Sequence, residues 1–164
     1  MKSLVLAGGC FWGVEAYLKQ FDGILHTEVG YANGPTIEPT YEQVCNASGH
    51  AEAVMVHYNS EVITTAQLID KFFDIINPTS INQQGNDIGV QYRTGIYYEN
   101  LEQFKVAEKK LELLAESLDK PVTVELLPLE NFYRAEEEHQ LYLFKNPNGY
   151  CHIPKSMMNL NKAI

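Results

Sequence analysis

Apolar residues recur with two different periods along this chain, and the switches between them mark out its elements. Leu4-Val5-Leu6-Ala7 is an unbroken apolar run that predicts a strand over Lys2–Ala7. Thr27, Val29 and Tyr31 fall on alternate positions and predict a strand over His26–Tyr31. Ala51–Tyr58, Arg93–Tyr98 and Pro121–Leu127 read the same way. Between them the period lengthens to that of a helix. Phe11, Val14, Leu18 and Phe21 form one stripe over Phe11–Phe21, and Leu68, Phe72 and Ile76 form a second behind Thr64-Thr65. Phe104, Ala107, Leu111, Leu114 and Leu118 form a third within the charged segment Asn100–Leu118. Stripes of this kind pack cores.

The resulting order is β-α-β-β-α-β-α-β with split βαβ units. It predicts an α+β protein, a ferredoxin-like two-layer α/β sandwich. We find no repeats, low-complexity tract or internal linker, so residues 1–164 are expected to form a single domain. Two long polar stretches, Asn33–Ser48 and Asn77–Tyr92, are rich in Gly, Pro, Asn and Asp and read as functional loops. Periodicity is lost after Leu127, which predicts an irregular C-terminal tail from about residue 128. That tail is either mobile or held by packing, and it carries a Pro147-Asn148-Gly149 turn directly before Tyr150-Cys151.

Composition narrows the classes. A chain of 164 residues with 45% hydrophobic content buries about two-thirds of its unfolded surface and needs neither disulfide nor metal for a core. The net charge of -9 argues against nucleic acid or an anionic membrane as partner. No stretch reaches the roughly 18 apolar residues of a membrane span. Leu4–Cys10 faintly resembles a lipoprotein cleavage site, but too few residues precede the cysteine for a secretory signal. Three widely spaced cysteines, Cys10, Cys45 and Cys151, form neither a disulfide scaffold nor a CxxC metal site. A cytoplasmic location and redox or catalytic cysteines follow as the expectation.

The densest chemical signal is Gly8-Gly9-Cys10-Phe11-Trp12-Gly13, read as strand, tight turn and helix. It puts the Cys10 thiol at a helix N-terminus, where unpaired N–H groups and the helix dipole favour the nucleophilic thiolate. Phe11 and Trp12, the chain's one tryptophan, offer aromatic walls for a soft, sulfur-containing substrate. Strand alternation puts Glu52 on one face with Val54, Val56 and Tyr58. A carboxyl desolvated there keeps its proton near neutrality and can act as general acid; an outward glutamate on an edge strand is the alternative. Tyr41, Asp87 and Tyr92 come from the two long loops as candidate polar groups, with simple turn chemistry the other reading of Asp87. Cys151, after its turn in a loose tail, suits attack on an oxidised first cysteine, with an incidental surface thiol the other reading. Cys45 reads as packing, and Glu136-Glu137-Glu138 as a solvated helical face. His50 and His139 match no metal template. On the residues alone three readings stand: a thiol reductase, another thiol enzyme (a peroxidase or a Cys–His hydrolase), and a non-catalytic ferredoxin-like binding module.

The motifs taken together resemble the peptide methionine sulfoxide reductase A family. Gly9-Cys10-Phe11-Trp12-Gly13-Val14-Glu15 matches its N-terminal signature. Thr27–Ala32, Pro39–Glu42, Gly49–Glu52, Asn77–Thr79, Gln84–Gly89, Gln91–Arg93 and Asn146–Cys151 follow in order. The resemblance implies that Cys10 attacks the sulfur of methionine-S-sulfoxide, free or in peptides, with Phe11 and Trp12 packing the substrate methyl group. It implies Glu52 as proton donor to the sulfoxide oxygen, Tyr41 and Tyr92 as hydrogen-bond donors to it, and Asp87 on the polar side of the site. Cys10 is left as a sulfenic acid, which Cys151 resolves as a disulfide. Thioredoxin, or dithiothreitol in its place, is the reductant, with no other cofactor and no metal, in a monomer. Three departures accompany the resemblance. The segment Cys45–Gly49 is one residue shorter, Glu138 stands where the family often has tyrosine, and no cysteine follows Cys151.

Overall fold

The computed structural model describes residues 1–160; the last four positions of the expected domain lie outside the described residues. Strand β1 (Lys2–Gly8) has a neighbour on each side, which explains its unbroken apolar run: Leu4 to Ala7 have no exposed surface. Helix α1 (Phe11–Lys19) follows, then β2 (Ile24–Ala32), the short α2 (Tyr41–Cys45), β3 (Ala51–Tyr58) and α3 (Thr65–Phe73). A two-residue hairpin, β4 (Gln83–Gln84) and β5 (Asp87–Ile88), precedes β6 (Thr94–Tyr98) and α4 (Leu101–Glu116). The chain closes with β7 (Glu125–Pro128), β8 (Phe132–Arg134) and α5 (Tyr142–Lys145).

Six strands form one sheet in the order β7-β6-β1-β3-β2-β8. Every pair is antiparallel except β6 with β7. Alternation along β3 sorts its side chains: Val54, Val56 and Tyr58 join the main core, while Ala51 and Ala53 face a smaller cluster with Val5, Ala7 and Tyr97. The main core takes Phe11, Val14 and Leu18 from α1, Leu68, Ile69 and Phe72 from α3, and Ala107 from α4. These helices therefore bury their apolar stripes against the same set of strand residues. The fold is a mixed α/β one.

Helix starts are set chemically. Thr64 Oγ1 accepts from the Gln67 N–H at 3.1 Å while Gln67 Oε1 accepts from the Thr64 N–H at 2.9 Å, and Thr40 with Gln43 repeats the arrangement ahead of α2. Asn100 Oδ1 accepts from the Gln103 N–H at 2.9 Å and starts α4.

Differences from the expected elements have identifiable causes. Pro121–Leu127 enters the sheet only at Glu125, because the Thr123 N–H bonds the Pro78 carbonyl at 2.7 Å instead of a strand partner. The stretch after residue 128 is held by packing, one of the two alternatives expected, and it carries short elements amid irregular backbone. Phe132–Arg134 pairs with β2, and Leu143 and Phe144 of α5 pack on Ala16 of α1. Glu136–Glu138 is no helical face. Glu136 precedes a 3₁₀ turn and accepts from the Tyr31 hydroxyl at 2.7 Å and the Tyr41 N–H at 3.0 Å.

Candidate active site

Between β1 and α1 the backbone must turn sharply, and Gly9 does so at φ +89°, a conformation side chains disfavour. Cys10 is thereby placed as the N-cap of α1 with only 5% of its surface exposed. Across β3, Glu52 is 1% exposed, and its Oε1 accepts from the Phe11 N–H at 3.2 Å. The acid is thus tied to the first turn of the helix that carries the thiol. Its second oxygen, Oε2, is buried without a partner among the described residues.

Electrostatics follow from that burial. Desolvation pushes the Glu52 carboxyl up to about 8, helped by the Asp87 carboxylate and opposed by the Phe11 N–H. Glu52 therefore carries a proton at neutral pH. The Cys10 thiol is pushed well above its ordinary range, first by burial and then by Glu52, with Asp87 adding to this and the Trp12 N–H opposing it. Here the structure corrects the sequence-based expectation of a resting thiolate. The helix terminus is present, but desolvation outweighs it.

The two long loops deliver their residues to the same place. Tyr41 stacks on His139 with ring centroids 4.3 Å apart and faces Phe11 at 6.4 Å. Burial and then the Glu52 carboxyl raise its hydroxyl, which puts Tyr41 within the field of Glu52. Tyr92 is raised by burial and by Glu52, Cys10 and Asp87 in turn. Both phenols are held as donors. Asp87 lies on the β4–β5 hairpin, where it bonds the Tyr150 hydroxyl and faces His152.

Trp12 turns toward the C-terminal segment. Its Nε1–H donates to His139 Nδ1 at 3.1 Å, and its ring stacks on Tyr142 at 3.9 Å. Phe11, Tyr41, His139 and Trp12 make one aromatic wall. Cys151 meets α1 at Gly13, one turn beyond Cys10. A Cβ on Gly13 would stand 2.5 Å from Cys151 Sγ, so the close approach requires glycine there.

Sequence reasoning missed His139 as part of the wall, and also Tyr142, Tyr31, Glu136 and His152. All but Tyr31 sit in the stretch without periodicity, and only their distant partners give them meaning. Glu138 is exposed and lies 3.7 Å from His139 Nε2. Cys45 does not pack inside: it is exposed at the end of α2 and hydrogen-bonds the Tyr41 hydroxyl. No group of three or more His, Cys, Asp or Glu residues could hold a metal ion among the described residues.

Fold and site together define a mixed α/β protein organised around one buried thiol and one protonated carboxyl. The profile described as peptide methionine sulfoxide reductase matches residues 2–163. The peptide methionine sulfoxide reductase MsrA of Clostridium acetobutylicum is 53% identical over 159 residues, 96% of this chain and 98% of that protein. Mxr1 from Saccharomyces cerevisiae in reduced form superposes with a TM-score of 0.87 at 39% identity, over 96% of this chain and 91% of that one. Mxr1 in complex with Trx2 gives a TM-score of 0.60 at 33% identity, over 84% of this chain and 83% of that one. The chain belongs to the peptide methionine sulfoxide reductase family.

Proposed function

We propose that this chain is a thiol-dependent reductase of methionine sulfoxide, free or in peptides and of the S epimer, with Cys10 as nucleophile. One observation carries the reading: a protonated Glu52 with an unpartnered buried oxygen, fixed to the turn that holds the Cys10 thiol. A sulfoxide oxygen needs a proton as its bond to sulfur breaks, and Glu52 is the buried acid at hand. Tyr41 and Tyr92 donate to the same oxygen, Asp87 holds the polar side, and Phe11 and Trp12 receive the methyl group.

The steps balance. Glu52 protonates the sulfoxide oxygen, the Cys10 sulfur attacks the substrate sulfur, and the thiol proton passes to the carboxylate just formed. The oxygen ends on Cys10 as a sulfenic acid, and methionine leaves. The Cys151 thiol then attacks the Cys10 sulfur, forming a disulfide and releasing water. A thioredoxin-class dithiol reduces that disulfide and is itself oxidised; the Mxr1 structure with Trx2 supports this choice of reductant. A reductive supply of this kind fits a cytoplasmic setting. One chain carries every group of the relay, so a monomer suffices and no further cofactor is called for.

We also read residues 1–164 as one catalytic domain of ferredoxin-like type. The order β6-β1-β3-β2, antiparallel throughout, supports that description. The sheet continues as β7 and β8 on its two edges.

The deciding experiment incubates the protein with racemic methionine sulfoxide and dithiothreitol beside Cys10→Ser and Cys151→Ser. Wild type consumes one epimer, Cys10→Ser neither, and Cys151→Ser completes one turnover but is not recycled by thioredoxin. A wild-type protein that consumes neither epimer ends the reductase reading. Steady turnover of Cys151→Ser with thioredoxin ends the resolving role of Cys151.

A further inference from the structure

His152, next to Cys151, is buried deep against the catalytic turn although no step above uses it. Its side chain is 4% exposed, and its Nδ1 lies 3.6 Å from Asp87 Oδ2. A Cβ on Gly9, the residue before Cys10, would come within 3.1 Å of its Nε2, and one on Gly85 within 3.2 Å of its Cβ. The ring is thus wedged between the β1–α1 turn and the β4–β5 hairpin. Among the described residues, neither ring nitrogen nor Asp87 Oδ2 makes a hydrogen bond of full geometry, although the Gly8 backbone lies close enough to interact with the imidazole.

A buried imidazole nitrogen and a buried carboxylate oxygen therefore face each other just beyond bonding distance. One belongs to the C-terminal segment and the other to the hairpin. Cys151 and His152 straddle the start of α1, the sulfur over Gly13 and the ring over Gly9, with Cys10 between those glycines in the chain. Ile153, 3% exposed, roots the segment immediately beyond, and its N–H bonds Cys151 Sγ at 3.3 Å.

We propose that His152 is a positioning residue for the resolving step: the shift that brings Cys151 onto Cys10 closes the His152–Asp87 gap into a hydrogen bond. With its proton on Nδ1, the imidazole finds Asp87 Oδ2 as the two sulfurs meet, so closure makes the one contact between ring and hairpin that is unmade in the open arrangement. The inference rests on the thiol relay proposed above and adds the residue that steers its second half.

The test uses the reduced full-length protein mixed with methionine sulfoxide and no reductant. Methionine release, dimedone-trappable sulfenic acid and Cys10–Cys151 disulfide are followed in time. His152→Phe keeps the bulk but removes both nitrogens, His152→Leu is a second nitrogen-free variant should the first not fold, and His152→Asn restores an N–H near the Nδ1 position. All variants release one methionine per chain at the wild-type rate. Disulfide closure slows roughly 10²-fold in the nitrogen-free variants, as expected for a lost alignment of reacting groups, and the sulfenic acid accumulates. His152→Asn recovers most of the rate. Closure at the wild-type rate without the nitrogens overturns the proposal, as does equal slowing of both steps, or a His152→Asn no faster than His152→Phe. Failure of the wild type to release methionine overturns the reductase reading instead.

Discussion

The Phe11 N–H donates to Glu52 Oε1 at 3.2 Å, joining the first residue of α1 to the one carboxyl on the core face of β3. One helix terminus thus serves two groups, holding the thiol at its N-cap and aiming the acid in its first turn. The bond opposes the rise in the Glu52 pKa, but burial is the larger effect. An acid that keeps its proton is the outcome.

Glu52→Gln keeps the acceptor for Phe11 but removes the proton. The reductive step is expected to slow by roughly 10²–10⁴, the usual cost of losing a general acid. In wild type the rate falls as pH rises through about 8, where the carboxyl loses its proton, and that limb is absent in the variant. Stability falls with rising pH as well, but over a lower range. Glu52 titrates near 4.5 when unfolded and near 8 when folded, so the stability it contributes below pH 4.5 is lost as pH rises toward 8. At pH 7 the loss is about 3 kcal/mol, and Glu52→Gln is expected to melt at a higher temperature there. Stopped-flow pH profiles and thermal melts at pH 4 and pH 7 check both signs.

Gly13→Ala separates helix stability from recycling. Alanine is favoured over glycine inside a helix by about 1 kcal/mol. Its Cβ, however, would stand 2.5 Å from Cys151 Sγ and 3.2 Å from Ile153 Cδ1, which displaces the segment carrying the second thiol. Single-turnover methionine release is expected to persist while thioredoxin-driven turnover drops. Turnover with thioredoxin as fast as wild type shows that Cys151 acts from somewhere other than this seat.

Elements built from local pattern are legible in the amino-acid sequence: β3 spans the stretch its alternation predicts, and α3 and α4 start behind Thr64 and Asn100. Cys10 and Glu52 are legible too, because a diglycine turn and a period-two strand are local signals. The rest of the site is not, because it depends on long-range packing. Trp12 meets His139 across 127 positions, and Leu141 starts α5 from a left-handed φ of 53° that no pattern announces. The protonation of Cys10 escapes sequence reasoning for the same reason. A helix terminus is visible in sequence, whereas the burial that overrides it is a property of the assembled core.

Glu15 illustrates that hidden layer. It is 1% exposed on α1, its Oε2 accepting from Thr27 Oγ1 at 2.8 Å and its Oε1 from the Leu141 N–H at 2.8 Å. It thereby ties β2 and the entry to α5 to the helix that carries Cys10. Glu15→Ala strands the Leu141 N–H and the Thr27 hydroxyl and leaves a void, and should cost about 3 kcal/mol. Glu15→Gln keeps an acceptor and should cost less. Denaturant unfolding of the two variants checks the order; equal losses mean that volume, not hydrogen bonding, sets the cost.

The single tryptophan gives the aromatic wall its own reporter. Trp12 Nε1–H donates to His139 Nδ1 at 3.1 Å, so the neutral imidazole carries its proton on Nε2. Burial lowers the His139 pKa below the ordinary 6.5, against the pull of Glu136 and Glu138. Protonating Nδ1 at acid pH puts two donors face to face and breaks the contact. His139 binds fewer protons folded than unfolded, so its contribution to stability is present above pH 6.5 and drains away as pH falls through the folded value. Intrinsic fluorescence is therefore expected to titrate with a midpoint below 6.5 while the protein stays folded by circular dichroism. In His139→Gln, whose amide oxygen can accept from the indole at every pH, the transition should vanish. If that transition persists in the variant, the titrating neighbour of Trp12 is some group other than His139.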